Sequence, residues 1–164
     1  MIFGYIIGRF NPLHLGHHEL IDYMINNSDH HVIFIGSANE SRTDSNPLSF
    51  DERKQLMSIH YPKSTIIGLD DLDDMDTWIH VLENHITEES TKYNGIKSIS
   101  IFSPVRDDDH SLRASWINDT HDLETFSPSH DISATELRSL WRNKDKFSKL
   151  VKKDTGLFLD SINL

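Results

Sequence analysis

The sequence predicts an α/β fold in which one parallel, Rossmann-like sheet carries helices on both faces. Three features support this prediction: apolar strand-like runs, helical patterns between them, and polar motifs where the runs end. The strand-like runs lie near residues 2–7, 31–36, 64–69 and 97–102. The helical patterns lie near residues 16–27, 49–59, 75–89 and 134–143, and a fifth strand is expected before Ser127. In sheets built from such βαβ units, ligands bind at the carboxyl ends of the strands.

Composition limits the classes of protein to consider. The chain has 164 residues, 37% of them hydrophobic, and we expect residues 1–164 to form a single domain. The absence of cysteine excludes thiolate catalysis, disulfides and thiolate zinc sites. A formal net charge of -10 argues against general nucleic-acid binding. No apolar run approaches the roughly 20 residues of a membrane span, and no signal peptide is recognisable, so we expect a soluble, cytoplasmic protein. The oligomeric state, including a homo-oligomer, is left open.

The first predicted strand ends in a turn that brings together a guanidinium and two imidazoles. This turn runs from Gly8 to His17 and contains Arg9 and His14. We expect His17 in the first turn of the following helix, where unpaired N–H groups and the helix dipole favour an anion. Gly16 would let a ligand approach the backbone closely. The turn therefore predicts a phosphate site, although a solvated loop is the alternative in a chain with 11 histidines.

A second motif lies near the start of the last predicted helix. Ser133 and Glu136 have the spacing of a capping box. Capping alone does not explain Thr135 and Arg138, which would place a hydroxyl and a cation beside the same helix start. Two such helix starts on one sheet can hold a triphosphate between them.

These two segments together resemble the signatures of the HxGH nucleotidyltransferase superfamily. The first signature is His14-Leu15-Gly16-His17, and the second, ISxTxxR, runs from Ile132 to Arg138. The resemblance implies that His14 and His17 are catalytic and that no covalent intermediate forms. It also implies that Mg²⁺ is carried by the ATP phosphates rather than by protein ligands. The ATP-binding residues that we expect are Gly8, Arg9, Phe10, Arg42, Ser133, Thr135 and Arg138.

The segment from Gly36 to Arg53 narrows the resemblance. It is similar to the stretch after the second strand in nicotinamide-mononucleotide (NMN) adenylyltransferases of the archaeal type and in their bacterial relatives fused to Nudix domains. Ser49 and Glu52 predict a capping box, and Arg42 is expected as a cation in a mobile loop. Arg53 and Lys54 are predicted to lie on a solvated helix face. The length leaves no room for a Nudix domain.

Trp78 has two interpretations that depend on different observations. Its helical spacing with Ile79, Val81 and Leu82 is typical of a core residue. In the resembling family, however, a carboxylate and a downstream tryptophan border the nicotinamide, whose cationic ring gains from a flat aromatic face. We favour the second interpretation, with Asp71 rather than Asp70 as the carboxylate.

After the fourth strand, Arg106 and Asp107 match the family's Lys-Asp pair, whereas Ser103 and Pro104 depart from it. Arg106 either meets a nucleotide phosphate or is neutralised by the flanking aspartates, and both interpretations stay open. The acceptor-binding residues that we expect are Gly36, Ser37, Asn46, Asp71, Trp78, Arg106 and Asp107.

The resemblance implies transfer of AMP from MgATP to NMN, which yields NAD and pyrophosphate. Within the superfamily, the acceptor could instead be phosphopantetheine, flavin mononucleotide or glycerol phosphate, because the two signatures report only the nucleotide half. A non-catalytic nucleotide-binding regulator is a further alternative, against which the intact histidine pair argues. A histidine-rich metal binder is disfavoured because the other histidines show no repeated ligand spacing.

Overall fold

The computed structural model describes residues 1–105 and 120–162, and its centre is one parallel sheet. The strands are β1 (Ile2–Gly8), β2 (His30–Ile35), β3 (Thr65–Gly68), β4 (Ser98–Pro104) and β5 (His121–Phe126). The order across the sheet is β3-β2-β1-β4-β5, and every neighbouring pair is parallel. The predicted fold class is confirmed, including the strand expected before Ser127.

Five helices belong to the described residues, and they cover both faces of the sheet. They are α1 (Leu15–Asn26), α2 (Phe50–His60), α3 (Met75–Ser90), α4 (Ala134–Arg142) and α5 (Lys153–Ser161). None of them combines the length and the apolar character that crossing a bilayer would require, as far as residues 1–105 and 120–162 are concerned.

Alternating residues of the central strands divide the core into two halves. On one face Ile6, Ile33 and Ile35 pack with apolar residues of α1 and α2. On the other face Tyr5 and Phe34 pack with residues of α3. Because successive side chains of a strand point to opposite faces, a continuously apolar strand requires helices on both sides.

Four of the five helices begin with a side-chain cap, and the sequence predicts the caps at Ser49 and Ser133. His14, Ser49, Asp74 and Ser133 each accept a hydrogen bond from a backbone N–H in the first turn of their helix. The sequence pattern did not predict α5, and its N-cap residue, Lys152, makes no such bond. This helix is held instead by packing: Leu159 is buried, and its carbonyl accepts a hydrogen bond from the Trp141 indole at 3.1 Å.

A buried histidine lies where α1, α2 and α5 meet. The Nδ1 atom of His18 lies 2.7 Å from the Tyr61 hydroxyl, and its ring packs edge-on against His60. The Nε2 atom of His18 is buried with no hydrogen-bond partner. Burial, followed by the charge of Lys152, lowers the pKa of His18 from 6.5 to about 3. The imidazole is therefore neutral in the folded protein at pH 7.

We expect His18 to make the protein acid-sensitive. Below about pH 6.5 the unfolded chain binds a proton on this imidazole, whereas the folded chain does not until about pH 3. The free energy of unfolding should therefore fall as the pH decreases through this window, by up to about 1.4 kcal/mol per pH unit. Urea unfolding between pH 7.5 and 4 measures this slope, which His18→Gln should reduce. The exposed His80→Gln is the matched control, and equal slopes in the two variants would contradict the assignment.

Candidate functional site

The two histidines of the first motif form a reciprocal cap at the start of α1. The backbone N–H of His17 donates to Nδ1 of His14 at 3.3 Å, and the backbone N–H of His14 donates to Nδ1 of His17 at 3.2 Å. Their rings stack with centroids 3.5 Å apart and an interplanar angle of 15°. His17 lies in the first helical turn, as the sequence predicts, and His14 is the N-cap of α1, which the sequence analysis did not predict.

This cap determines which ring nitrogen carries the proton in each neutral imidazole. Because each Nδ1 accepts a backbone hydrogen bond, a neutral imidazole in this arrangement carries its proton on Nε2. This tautomer is inferred from the hydrogen bonds. Each Nε2 is then a hydrogen-bond donor on one of two stacked rings.

Close packing around the turn orients the histidines. The Phe10 ring contacts His17 edge-on, with centroids 4.9 Å apart, and it lies over Gly8, where an added Cβ would come within 2.8 Å of the phenyl ring. A Cβ on Gly16 would lie 3.0 Å from the carbonyl oxygen of His130 and 3.1 Å from the His14 ring. The protein therefore packs closely against Gly16, and the ligand approach that we expected at this residue stays a prediction.

Two of the N–H groups at the start of α1 already have partners within the protein. The N–H of Leu15 donates to the carbonyl of Leu150 at 2.9 Å, and that of His17 donates to His14. The expectation that free N–H groups of this turn attract an anion is therefore wrong for these two. The imidazoles, the helix dipole and nearby arginines are the groups that favour an anion here.

The second motif lies beside the first, with its arginine buried. Ser133 caps α4 by accepting the N–H of Glu136. The guanidinium of Arg138 is 6% exposed; it donates to the Asn11 carbonyl at 3.2 Å and to the Thr135 hydroxyl at 3.3 Å. Burial, and secondly the charge of Arg9, lowers the pKa of Arg138.

A cavity of about 180 Å³, here called the histidine cavity, lies above these groups. The elements that form it are the end of β1, the turn after it, and the starts of α1 and α4. It is lined by six of the predicted residues, namely Gly8, Arg9, Phe10, His14, His17 and Arg138.

A second cavity of about 600 Å³, the tryptophan cavity, adjoins the same end of β1. The predicted residues that line it are Gly8, Arg9, Gly36, Ser37, Asp71 and Trp78. Trp78 also packs against the core on the α3 face of the sheet, so its interpretation as a core residue is correct. That it borders a nicotinamide stays a prediction. Asp71, unlike Asp70, lines the cavity.

Hydrogen bonds fix Asp71 at the wall of the tryptophan cavity. The hydroxyl of Ser37 donates to its carboxylate at 3.0 Å. The side chain of Asn39 bonds to both the N–H and the carbonyl of Asp71, at 2.8 and 3.2 Å. The carboxylate therefore has a defined position at the end of β2.

Arg53 is the main correction to the sequence interpretation. It was predicted on a solvated helix face, whereas its side chain is 1% exposed. Its guanidinium donates to the carbonyls of Arg9, Gly36 and Ser37 at 3.0, 2.8 and 2.9 Å. Its position relative to Leu56 and Met57, at i+3 and i+4, is the signal that indicates the buried face of α2. Lys54 is exposed as expected.

The arginines give this region a positive field. Burial, followed by the charge of Arg9, lowers the pKa of Arg53 to about 10, so it stays charged at pH 7. Arg9 therefore lies close to two buried guanidinium groups, those of Arg53 and Arg138. The carboxylates of Asp71 and Glu52 compensate part of this charge at Arg53, and a bound anion would compensate more of it.

The remaining predicted residues lie elsewhere. Arg42 pairs with Glu52 and donates to the Pro47 carbonyl at 2.7 Å. Asn46 is buried beside Asn11. None of Arg42, Asn46, Ser133 and Thr135 lines the two cavities, so their contacts with a ligand stay predictions. Arg106 and Asp107 fall outside the described residues.

Comparison with known proteins agrees with the two motifs. A model of the cytidylyltransferase-like family matches residues 5–140. The chain is 30% identical over 95 residues to the nicotinamide-nucleotide adenylyltransferase of Haloarcula marismortui, which covers 56% of this chain and 50% of that protein. With the protein of the same name from Sulfurisphaera tokodaii it shares 27% identity over 165 residues, which covers 94% of this chain and 88% of that protein. For several such relatives, the matched stretch spans about half of their length.

Solved structures share the fold. The chain resembles the bifunctional NMN adenylyltransferase/ADP ribose pyrophosphatase of Francisella tularensis with a TM-score of 0.78 and 24% identity. The match covers 97% of this chain and 50% of that one. A structure of the same protein complexed with AMP and a manganese ion gives a TM-score of 0.75.

The double role of His14 as cap and as Nε2 donor can be separated by two substitutions. Asparagine can still cap α1, whereas alanine cannot, so His14→Ala should be less stable than His14→Asn by about 1 kcal/mol. Urea unfolding at pH 7.5 measures this difference. Both variants lose the Nε2 donor, so both should bind inorganic triphosphate more weakly than the parent protein. Equal stability of the two variants would contradict the capping role.

Proposed function

The chain belongs to the cytidylyltransferase-like family, and on that premise we propose that it transfers AMP from MgATP to NMN. The products are NAD and pyrophosphate, and residues 1–164 act as one nucleotidyltransferase domain. The adenylyltransferase names of the relatives from Haloarcula and Sulfurisphaera support this reaction.

The observation that carries the proposal is that the two cavities share one wall. Ile7, Gly8 and Arg9 line both the histidine cavity and the tryptophan cavity. A triphosphate in the first and a mononucleotide in the second would bring their reacting phosphates together where the two cavities adjoin, at Ile7, Gly8 and Arg9. In-line attack requires this proximity, which lowers the entropic part of the barrier.

The histidine cavity supplies charge stabilisation for the transfer. The Nε2 groups of His14 and His17 would donate to the α-phosphate as negative charge develops on its oxygens. Arg9 and Arg138 would hold the β- and γ-phosphates, together with the hydroxyls of Ser133 and Thr135. The acceptor phosphate is itself the nucleophile, so no covalent enzyme intermediate is needed.

Arg42 and Asn46, which we expect to contact ATP and NMN, are held by other residues of the protein. Arg42 would have to leave Glu52 to reach a phosphate, because both of its terminal nitrogens are engaged there. Asn46 contacts the site through Asn11, whose amide bonds to both backbone groups of Leu48. Arg106 and Asp107 are proposed as acceptor contacts from the resemblance alone.

The charge of the triphosphate calls for a divalent cation. No group of three or more His, Asp or Glu that could hold a metal occurs among residues 1–105 and 120–162. Magnesium would therefore be bound by the phosphate oxygens and would neutralise part of their charge. The manganese ion in the AMP complex of the Francisella protein supports a divalent metal.

The tryptophan cavity suits a cationic ring. Trp78 offers an aromatic face, and Asp71, Asp73 and Asp74 add negative charge around it. A pyridinium ring with a neutral amide matches these groups.

One assay tests donor and acceptor together. The purified protein is incubated with MgATP or MgCTP and, in separate reactions, with NMN, nicotinic acid mononucleotide, phosphopantetheine, flavin mononucleotide or glycerol 3-phosphate. Pyrophosphate and the dinucleotide product are then measured. We expect NAD from ATP and NMN. Pyrophosphate released only with CTP, or only with a non-pyridine acceptor, would refute the proposal.

Loss of one Nε2 donor should slow the chemical step. His17→Ala is expected to lower kcat by about 10²-fold or more, the scale for one preorganised donor in the transition state. NAD formation under saturating substrates measures the effect, with the exposed His80→Ala as control. Because His17 also accepts a backbone hydrogen bond, unfolding curves must show that the variant is folded. A folded variant with a near-normal rate would refute the catalytic role.

Trp78 should affect the acceptor and not the donor. Trp78→Leu keeps an apolar side chain toward the core but removes the aromatic face. We expect the KM for NMN to rise about tenfold, on the scale of one cation–π contact, and the KM for ATP to change less than about twofold. Trp78→Phe should lie between the two. Equal changes in both KM values would place the effect in the fold rather than in the acceptor site.

A further inference from the structure

We propose that Arg53 is a positioning residue that sets the distance between the donor and acceptor sites. This inference rests on the proposed function, because it assigns those sites to the histidine and tryptophan cavities. Arg53 lines neither cavity. It lies on α2, and its side chain contacts both the turn after β1 and the turn after β2.

The contacts of Arg53 divide between the two turns. Its Nη1 atom donates to the carbonyl of Arg9, after β1, at 3.0 Å and to that of Gly36, after β2, at 2.8 Å. Its Nη2 atom donates to the carbonyl of Ser37 at 2.9 Å. Its Nε atom donates to the Ser49 carbonyl at 3.2 Å, within α2's own first turn. One rigid guanidinium therefore fixes both turns relative to a helix.

Both turns contain backbone that needs such support. Phe10, next to Arg9, has φ of 49°, and Ser37 has φ of 48°. Residues other than glycine rarely adopt this left-handed backbone conformation, and they keep it only where surrounding contacts enforce it. The three carbonyls that Arg53 holds belong to these two residues or their neighbours, so Arg53 is placed to enforce both conformations.

Arginine is required here by geometry. Its planar group has donors directed along several fixed axes, whereas the lysine ammonium is a single point. Lysine at this position can satisfy some of the three carbonyls but cannot bridge the two turns with the same geometry. The buried charge also adds to the positive field under the site, because Arg53 interacts electrostatically with Arg9.

A positioning role has a distinctive kinetic consequence. Each substrate binds mainly through its own cavity, so loosening the link should leave both KM values nearly unchanged. Alignment of the acceptor phosphate with the α-phosphate depends on the link, so kcat should fall. A displacement of about 1 Å can cost about 10²-fold in rate.

The test compares Arg53→Lys and Arg53→Met with Lys54→Met, the adjacent exposed residue of the same helix. We expect kcat to fall about tenfold in Arg53→Lys and about 10²-fold in Arg53→Met, with both KM values within about threefold of the parent. Lys54→Met should behave as the parent. Rates are measured well below each variant's Tm, and if Arg53→Met does not fold, Arg53→Lys decides. Unchanged kcat, or a rise in one KM alone, would overturn the proposal.

A second readout does not depend on activity. The N–H of Gly36 donates to the Gly8 carbonyl at 2.9 Å and links the same two turns. Its hydrogen-exchange protection should fall at least about tenfold in Arg53→Lys, while that of amides within α3 stays unchanged. Unchanged protection at Gly36 would overturn the positioning role. If the parent protein forms no NAD from ATP and NMN, the proposed function fails, and this exchange measurement still tests Arg53.

Discussion

The turn after the central strand is the constraint on which the rest of the site depends. Three of its consecutive or near-consecutive carbonyls accept hydrogen bonds from distant parts of the chain. The donors are the Gly36 N–H to Gly8, the Arg53 guanidinium to Arg9, and the Arg138 guanidinium to Asn11. This turn carries the left-handed Phe10 and leads directly into the histidine cap of α1. Both cavities are therefore lined in part by residues at the end of β1 and in this turn.

The charge near the common wall of the two cavities is opposite in sign to the net charge of the protein. The net charge is -10, yet the wall common to the two cavities is close to three guanidinium groups, those of Arg9, Arg53 and Arg138. Two of these are buried, and their cost is offset by hydrogen bonds to backbone carbonyls, because such carbonyls compensate part of the lost hydration. The carboxylates of Asp71, Asp73 and Asp74 line the tryptophan cavity and not the histidine cavity. The site thus separates a region suited to polyphosphate from one suited to a cationic ring.

Much of the fold and part of the site followed from local patterns. The strands, the first four helices and the caps at Ser49 and Ser133 all depend on residues within a few positions of each other. Trp78 packs against the core, as its spacing predicts, and it also lines the tryptophan cavity. The helix α5 escaped prediction because it lacks a side-chain cap and is held by contacts with α4, distant in the sequence from any repeating signal.

By itself, the sequence determined the parallel α/β class, the two motifs and their location after the strands, because hydrophobic period and capping are short-range properties of the chain. Only the tertiary structure decided the role of Arg53, the close packing against Gly16 and the common wall of the two cavities. Each of these depends on atoms brought together across the sheet: the Arg9 carbonyl lies 44 residues from Arg53 in the chain. The sequence shows that residue 53 carries a guanidinium charge, but only the fold determines which carbonyls accept its hydrogen bonds.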